Sequence, residues 1–325
     1  MRYLVFALVL TCTAACTQKP SSEREATTQA KSDPKPVSNK PFEKVEEGPA
    51  FKKYVEGNTS LIILGENWRN MTMLDERYYE IMPGRKPTAN LGSLRQAIAT
   101  YTKRIKNFPG DARPHHHRGL RYMSIEKYEE AIADLEKADS LIQATVDQIE
   151  PDGIPNTQNT PLSSLQRNVW HHLGIAYYLS KEYEKAYQVF LRFRDSGLNY
   201  DNIVSSTHWL YMIQQRLGNP EKADSLLAPI KREGVVIENQ AYADLCGLYK
   251  GWISADSLEA KCVGLSSPSQ DAMLYGLANW HLYHGDTLKA TKLMNTMFDD
   301  LKAPTSFGYM ASSSDWSFLQ YFQQK

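Results

Sequence analysis

Trp170 to Phe193 reads WHHLGIAYYLSKEYEKAYQVFLRF, and the spacing inside it decides the fold. Trp170, Leu173 and Tyr177 fall three to four residues apart, a polar turn follows, and Tyr183, Ala186, Phe190 and Phe193 resume the same rhythm. Residues so spaced share one side of a helix. The stretch therefore makes two amphipathic helices folded back as a hairpin. The large side chains fill the facing sides, and the small residues Gly174 and Ala186 sit where two backbones must approach closely.

The same rhythm recurs along the chain. Ala97 and Ala131 are 34 residues apart. Ala131 to Ala186 spans 55, one period plus 21, and the surplus is a loop at 146–162 that contains Pro151, Gly153, Pro155 and Pro161. Ala186 to Ala223 spans 37, and Ala223 to Ala290 spans 67, close to two periods with one degenerate unit between. Phe108-Pro109-Gly110, Gly218-Asn219-Pro220 and Gly285-Asp286 supply turns. Residues 305–322, aromatic and low in charge, read as a closing helix. Strand patterns are almost absent. A near-constant spacing of small residues predicts hairpins stacked one on the next.

The pattern W-x₂-L-G-x₂-Y followed by A-x₃-F, carried by Trp170, Leu173, Gly174, Tyr177, Ala186 and Phe190, resembles the tetratricopeptide repeat (TPR). That resemblance implies an all-α fold, a right-handed α-solenoid of about five to six TPR-like hairpins across 94–325. The loop Glu150-Pro151-Asp152-Gly153-Ile154-Pro155-Asn156, ahead of Asn168-Val169-Trp170-His171-His172-Leu173-Gly174, is similar to an EPDG-x-PN loop found in one bacterial group of TPR proteins. The similarity implies a fold and no particular activity.

The N-terminal part has another character. Arg2, the apolar run Tyr3 to Leu10 and the small residues Thr13, Ala14 and Ala15 before Cys16 read as a secretory signal over 1–15. The run is too short for a spanning helix, which needs about 20 apolar residues. Thr-Ala-Ala-Cys resembles a bacterial lipoprotein box, with Thr13 where leucine is usual, and implies lipidation at Cys16; Cys12 is a poorer acceptor because Thr11 precedes it. Residues 16–50 are rich in Lys, Ser, Thr, Glu, Gln and Pro and read as a disordered tether, since they bury too little surface to offset chain entropy. Residues 51–93 read as a cap over the first hairpin. Lipid, spacer and folded body together predict a protein held at the bacterial cell envelope, at the outer membrane if the host is Gram-negative and sorts by the residue after the cysteine, here Thr17.

Lysine plus arginine equal aspartate plus glutamate at 37 each, and a leader containing only Arg2 leaves 36 against 37. A mature charge near −1 argues against nucleic acid as partner. Cys246 and Cys262 have neither CxxC spacing nor histidine partners for zinc; they read as small buried hydrophobes, with a disulfide left open.

First helices of such hairpins line the concave side. Counting from the packing residues, Arg113, His116, Asn168, His171, Tyr178, His208, Gln215, Tyr275, Asn279 and Tyr283 are the candidate groove residues, with Ser205 and Met212 beside them. His116, His171 and His208 share one register. A metal is not expected there: equivalent helices are separated by an intervening one, with neighbours about 8–10 Å apart, whereas zinc needs nitrogens at about 2.0–2.1 Å. The plainer reading is histidine hydrogen-bonded between helices. Asp152 and Asn156 on the inserted loop could close over the groove, because a long insertion in a compact array is often functional.

No G-x-S-x-G elbow or Gly-rich phosphate loop occurs, and no cofactor or catalysis is expected. The function expected is a membrane-tethered scaffold binding a peptide or protein segment in its concave groove. A small-ligand or glycan-binding accessory lipoprotein, with the 146–162 loop as lid, is the alternative, and a hydrolase comes third.

Overall fold

The computed structural model describes residues 91–143, 145–150, 162–196, 199–265, 267–300 and 305–323. All lie within one contact unit, Phe42–Lys325. The signal, the tether, the cap as far as residue 90, Cys16, Asp152 and Asn156 fall outside them. Twelve helices follow in order among the described residues: α1 Leu91–Asn107, α2 Ala112–Met123, α3 Tyr128–Ile142, α4 Leu165–Leu179, α5 Tyr183–Asp195, α6 Tyr200–Arg216, α7 Pro220–Leu226, α8 Gln240–Tyr249, α9 Ala255–Cys262, α10 Ser267–Tyr283, α11 Thr287–Asp300 and α12 Phe307–Gln323.

Sequential helices pack as hairpins: α2 on α3, α4 on α5, α6 on α7, α8 on α9 and α10 on α11. Each hairpin also packs on the next, through α3 with α4, α5 with α6, α6 with α8 and α8 with α10. The small residues do what their spacing predicts. A Cβ on Gly174 would lie 2.7 Å from the Phe190 ring, and one on Gly119 would lie 2.8 Å from Leu135. Ala131, Ala186, Ala223 and Ala290 are all fully buried. One apolar cluster runs from Met123 through Phe190, Trp209, Leu245 and Leu277 to Ala311, so the array shares a continuous core. Helix starts are capped locally: Asp111 accepts from the Arg113 N–H at 3.0 Å, Asn199 from the Asn202 N–H at 2.9 Å and Ser254 from the Ser257 N–H at 3.2 Å. Each such cap is worth about 1 kcal/mol.

The turn inside every hairpin holds one residue in the left-handed region. In chain order these are Glu126 (φ 62), Lys181 (φ 64), Gly218 (φ 76), Gly251 (φ 70) and Gly285 (φ 83). The three glycines have open space around them, so glycine is there for its backbone freedom and not for want of room. Glu126 and Lys181 hold the same conformation with a side chain attached, at roughly 1–2 kcal/mol each.

Two details differ from the sequence reading. Helix α1 begins at Leu91 and so runs across the 93/94 boundary. The ends of the 146–162 insert form a short antiparallel pair, β1 Ile149–Glu150 with β2 Ser163–Ser164, registered Ile149 to Ser164 and Glu150 to Ser163. Two residues per strand are too few to leave an alternating pattern. Cys246 and Cys262 are free and buried thiols, in line with their reading as small buried hydrophobes. No described helix is long and apolar enough to cross a membrane.

Candidate functional site

The last helix sits where the sequence predicts an open groove. Helix α12 packs on α10 and α11, as the first helix of a further hairpin would, and it also reaches α4. Its first turns are apolar, with Tyr309, Met310 and Ala311 buried. The next turn is polar: Ser312, Ser313 and Asp315 are buried, and Ser314 is partly so. Ser314 Oγ donates to the Leu179 carbonyl at 2.8 Å and Lys181 Nζ donates to Ser314 Oγ at 2.6 Å. Ser313 Oγ donates to the Glu126 carboxylate.

Asp315 is the centre of this contact. Its carboxylate, with 1% of the side chain exposed, accepts from Arg216 Nη2 at 2.6 Å, from the Tyr275 hydroxyl at 2.7 Å and from Lys181 Nζ. Burial alone would raise its pKa, but the Arg216 and Lys181 cations outweigh it and hold the carboxyl below its ordinary value. Arg216 donates in turn to Asn279 Oδ1 at 2.5 Å, which also accepts from the Tyr283 hydroxyl at 3.0 Å. Tyr178 and Tyr275 share a hydroxyl hydrogen bond of 2.8 Å. Four helices, α4, α6, α10 and α12, thus meet in one polar network within an otherwise apolar core.

The predicted groove residues divide accordingly. Tyr178, Tyr275, Asn279 and Tyr283 are brought together in this network. The other six serve packing or local structure. Arg113 is half-exposed and donates to Gln148 at the base of the insert, and Asn168 pairs with Ser163 on β2. His116 is buried, its Nε2 2.7 Å from His172 Nδ1. His171 stacks on Phe193 at 5.3 Å and meets the edge of Phe307 at 5.7 Å. His208 lies between Tyr242 and Tyr249, its Nδ1 3.1 Å from the Tyr249 hydroxyl. Gln215 donates to the Tyr211 hydroxyl at 3.1 Å. Each of these side chains has a neighbour within the chain, and Gln215 and Tyr283 remain partly exposed. Asn168 and Asn279 are both engaged within the chain.

Burial keeps the histidines neutral. It lowers the pKa of His116 to about 3, aided by His117, Arg121 and His171, and that of His171 to about 4. It lowers His208 to about 3, with His171 adding to the effect, and takes His172 well below the ordinary value, with His116 next in weight. Among the described residues no three His, Cys, Asp or Glu side chains are grouped to hold a metal ion.

A cleft of about 360 Å³ opens near the start of α12, with His171, Glu238, Tyr242, Ser269, Ser306 and Phe307 in its wall. No described residue of the 146–162 insert lines it.

Residues 112–145 match the tetratricopeptide repeat family. The repeat is the α2–α3 hairpin and its exit, 34 residues long. Hairpins α4–α5 onward continue the same packing, so the described residues form an all-α, solenoid-like helical array that contains a tetratricopeptide repeat, a protein-interaction repeat. No curated protein matches the chain.

Lys181, Arg216, Glu126, Ser313 and Asp315 are not among the groove residues read from sequence. Lys181 and Asp315 stand 134 residues apart, and helical periodicity cannot bring such residues together. A signal for two of them did exist: Glu126 and Lys181 fall five residues before Ala131 and Ala186, the place that glycine holds before Ala223 and Ala290.

Proposed function

We propose that the protein is a non-catalytic, membrane-tethered TPR scaffold that binds a peptide or protein segment on the inner face of its helical array. The polar network around Lys181, Arg216, Tyr275 and Asn279 carries this reading, because it is a built, charged surface that already holds a helix. The TPR match at 112–145 supports an interaction role, since TPR units work as docking surfaces. The lipoprotein-type end at Cys16 and the polar segment after it support the tether and a place in the bacterial envelope. The cleft beside His171 has no described residue of the insert in its wall.

In-cell photocrosslinking tests the docking face. A photoreactive residue at Gln215 or Tyr283 is expected to give adducts with a discrete partner, and one at Glu221, on exposed α7 surface, is not. Adducts from Glu221 alone, or from none of the three, would count against the inner face. For the tether, Cys16→Ser is expected to move the protein from the membrane fraction to the soluble fraction, and a variant still retained would remove that part of the reading.

A further inference from the structure

We infer that α12 is a detachable intramolecular ligand of the inner face, and that the segment taking its place is a helix presenting a carboxylate to Lys181 and Arg216. The inference rests on the docking role proposed above.

The two strained turns carry the argument. Five hairpin turns need a left-handed residue; three use glycine, and two use charged residues instead. Those two, Glu126 and Lys181, are the ones whose side chains grip α12, through Ser313, Ser314 and Asp315. The glycine turns show that the fold closes well without a side chain there. Backbone strain that persists at such a place points to a task for the side chain. The task here is holding one helix.

The chemistry of the seam points the same way. Other seams mix apolar contacts such as Gly276 against Leu245 with polar ones, as where Asp139 on α3 accepts from Trp170 Nε1 at 2.8 Å and from Arg192 Nη2 at 2.8 Å. Where α12 crosses α4 and α6, its described side chains offer hydroxyls and one carboxylate to a lysine, an arginine and a carbonyl. A buried ion pair adds little over a well-packed apolar contact but fixes which partner fits. The Asp315 carboxylate meets the buried Arg216 guanidinium at 2.6 Å and strengthens its charged form, and without it Arg216 loses that ion pair. The inner face is therefore selective for a helix with an acid at the position of Asp315. Water can replace hydroxyl contacts when the helix leaves, and another acidic helix can replace both.

Native-state hydrogen exchange on the whole chain tests whether α12 detaches. In the wild type, amides of α12 are expected to exchange at least tenfold faster than those of α10 and α11. Lys181→Gly and Glu126→Gly, both changes to the residue of the other turns, are expected to raise α12 exchange a further tenfold and leave α2 to α5 unchanged. Exchange of α12 as one unit with α10 and α11, indifferent to both substitutions, would make α12 a fixed cap and overturn the inference.

The second arm uses Asp315→Asn chain and a labelled synthetic peptide of residues 305–325. The natural peptide is expected to bind at least tenfold more tightly than the same peptide carrying the Asp315→Asn change. Equal binding, or none by either, overturns the carboxylate requirement. The two readings fail separately: crosslinks from Gln215 with an immobile α12 leave the docking face standing and remove this inference, whereas a mobile α12 with no crosslinks does the reverse.

Discussion

The first two described hairpins and the last three solve the same turn differently. In α6–α7, α8–α9 and α10–α11 the chain reverses through glycine, and nothing in the turn touches a distant helix through that residue. In α2–α3 and α4–α5 it reverses through Glu126 and Lys181, accepts a strained backbone and gains contacts to α12. Repeats that share a fold thus differ in what their turns do. Three turns only reverse the chain, and two also fasten its end.

Acid should weaken both kinds of hairpin, since the buried histidines lie on α2 and α4 and also on α6. His116 on α2, His171 on α4 and His208 on α6 have folded pKa values of about 3, 4 and 3 because burial disfavours their charged forms. The unfolded chain takes up protons near 6.5 and the folded chain does not. Stability is therefore full above about pH 6.5 and declines as pH falls toward the folded values, by up to about 4 kcal/mol per pH unit for the three together. Urea midpoints at pH 7 and pH 5 measure this, and equal midpoints would show that the imidazoles are not buried uncharged.

Removing the acid at the seam comes next. Asp315→Ala leaves Arg216 buried without its counterion and is expected to cost about 3–5 kcal/mol in urea unfolding. The double change Asp315→Ala with Arg216→Met should recover most of that loss. If the single change costs under about 1 kcal/mol, the seam is wetter than its contacts indicate.

A smaller loss is expected at the start of α12. A Cβ on Gly308 would lie 2.2 Å from the Asp271 carbonyl oxygen, a backbone atom that cannot swing aside. Gly308→Ala should cost about 1–3 kcal/mol by forcing α10 and α12 apart. An unchanged thermal midpoint would place the two helices further apart than described.

The turns themselves give the smallest effects and the sharpest contrast. Gly285→Ala meets no atom within 4 Å but must hold φ +83, and should cost about 1 kcal/mol. Lys181→Gly relieves the opposite strain while losing a half-exposed ion pair, and its net change should stay within about 0.5 kcal/mol. A large loss at Lys181→Gly would mean that the turn and α12 unfold together.

Much of the fold was legible because it rests on local spacing. Gly119, Gly174, Ala131 and Ala186 mark close helix approaches that recur with the repeat, and Gly218 and Gly285 mark reversals. The closing helix was expected at 305–322 and runs Phe307–Gln323. The site was less legible because register tells which side of a helix a residue occupies and not how tightly an array coils. Tyr178 and Tyr275 touch because the inner faces of α4 and α10 meet, a property of accumulated inter-hairpin angles that no single stretch encodes. The histidines misled for a related reason: a shared register marks a packing layer as readily as a wall, and His208, sandwiched by Tyr242 and Tyr249, belongs to the layer.

The pair β1–β2 has a practical corollary. It clips the two ends of the insert together, aided by the Leu165 N–H on the Gln148 carbonyl at 2.8 Å and by Gln166 on the Ile142 and Thr145 carbonyls at 3.3 and 3.2 Å. Loop closure grows slowly more costly with length. An epitope or small fluorescent domain spliced between 151 and 161 should therefore leave α3 and α4 in their mutual seat, because β1–β2 closes the base of the insert.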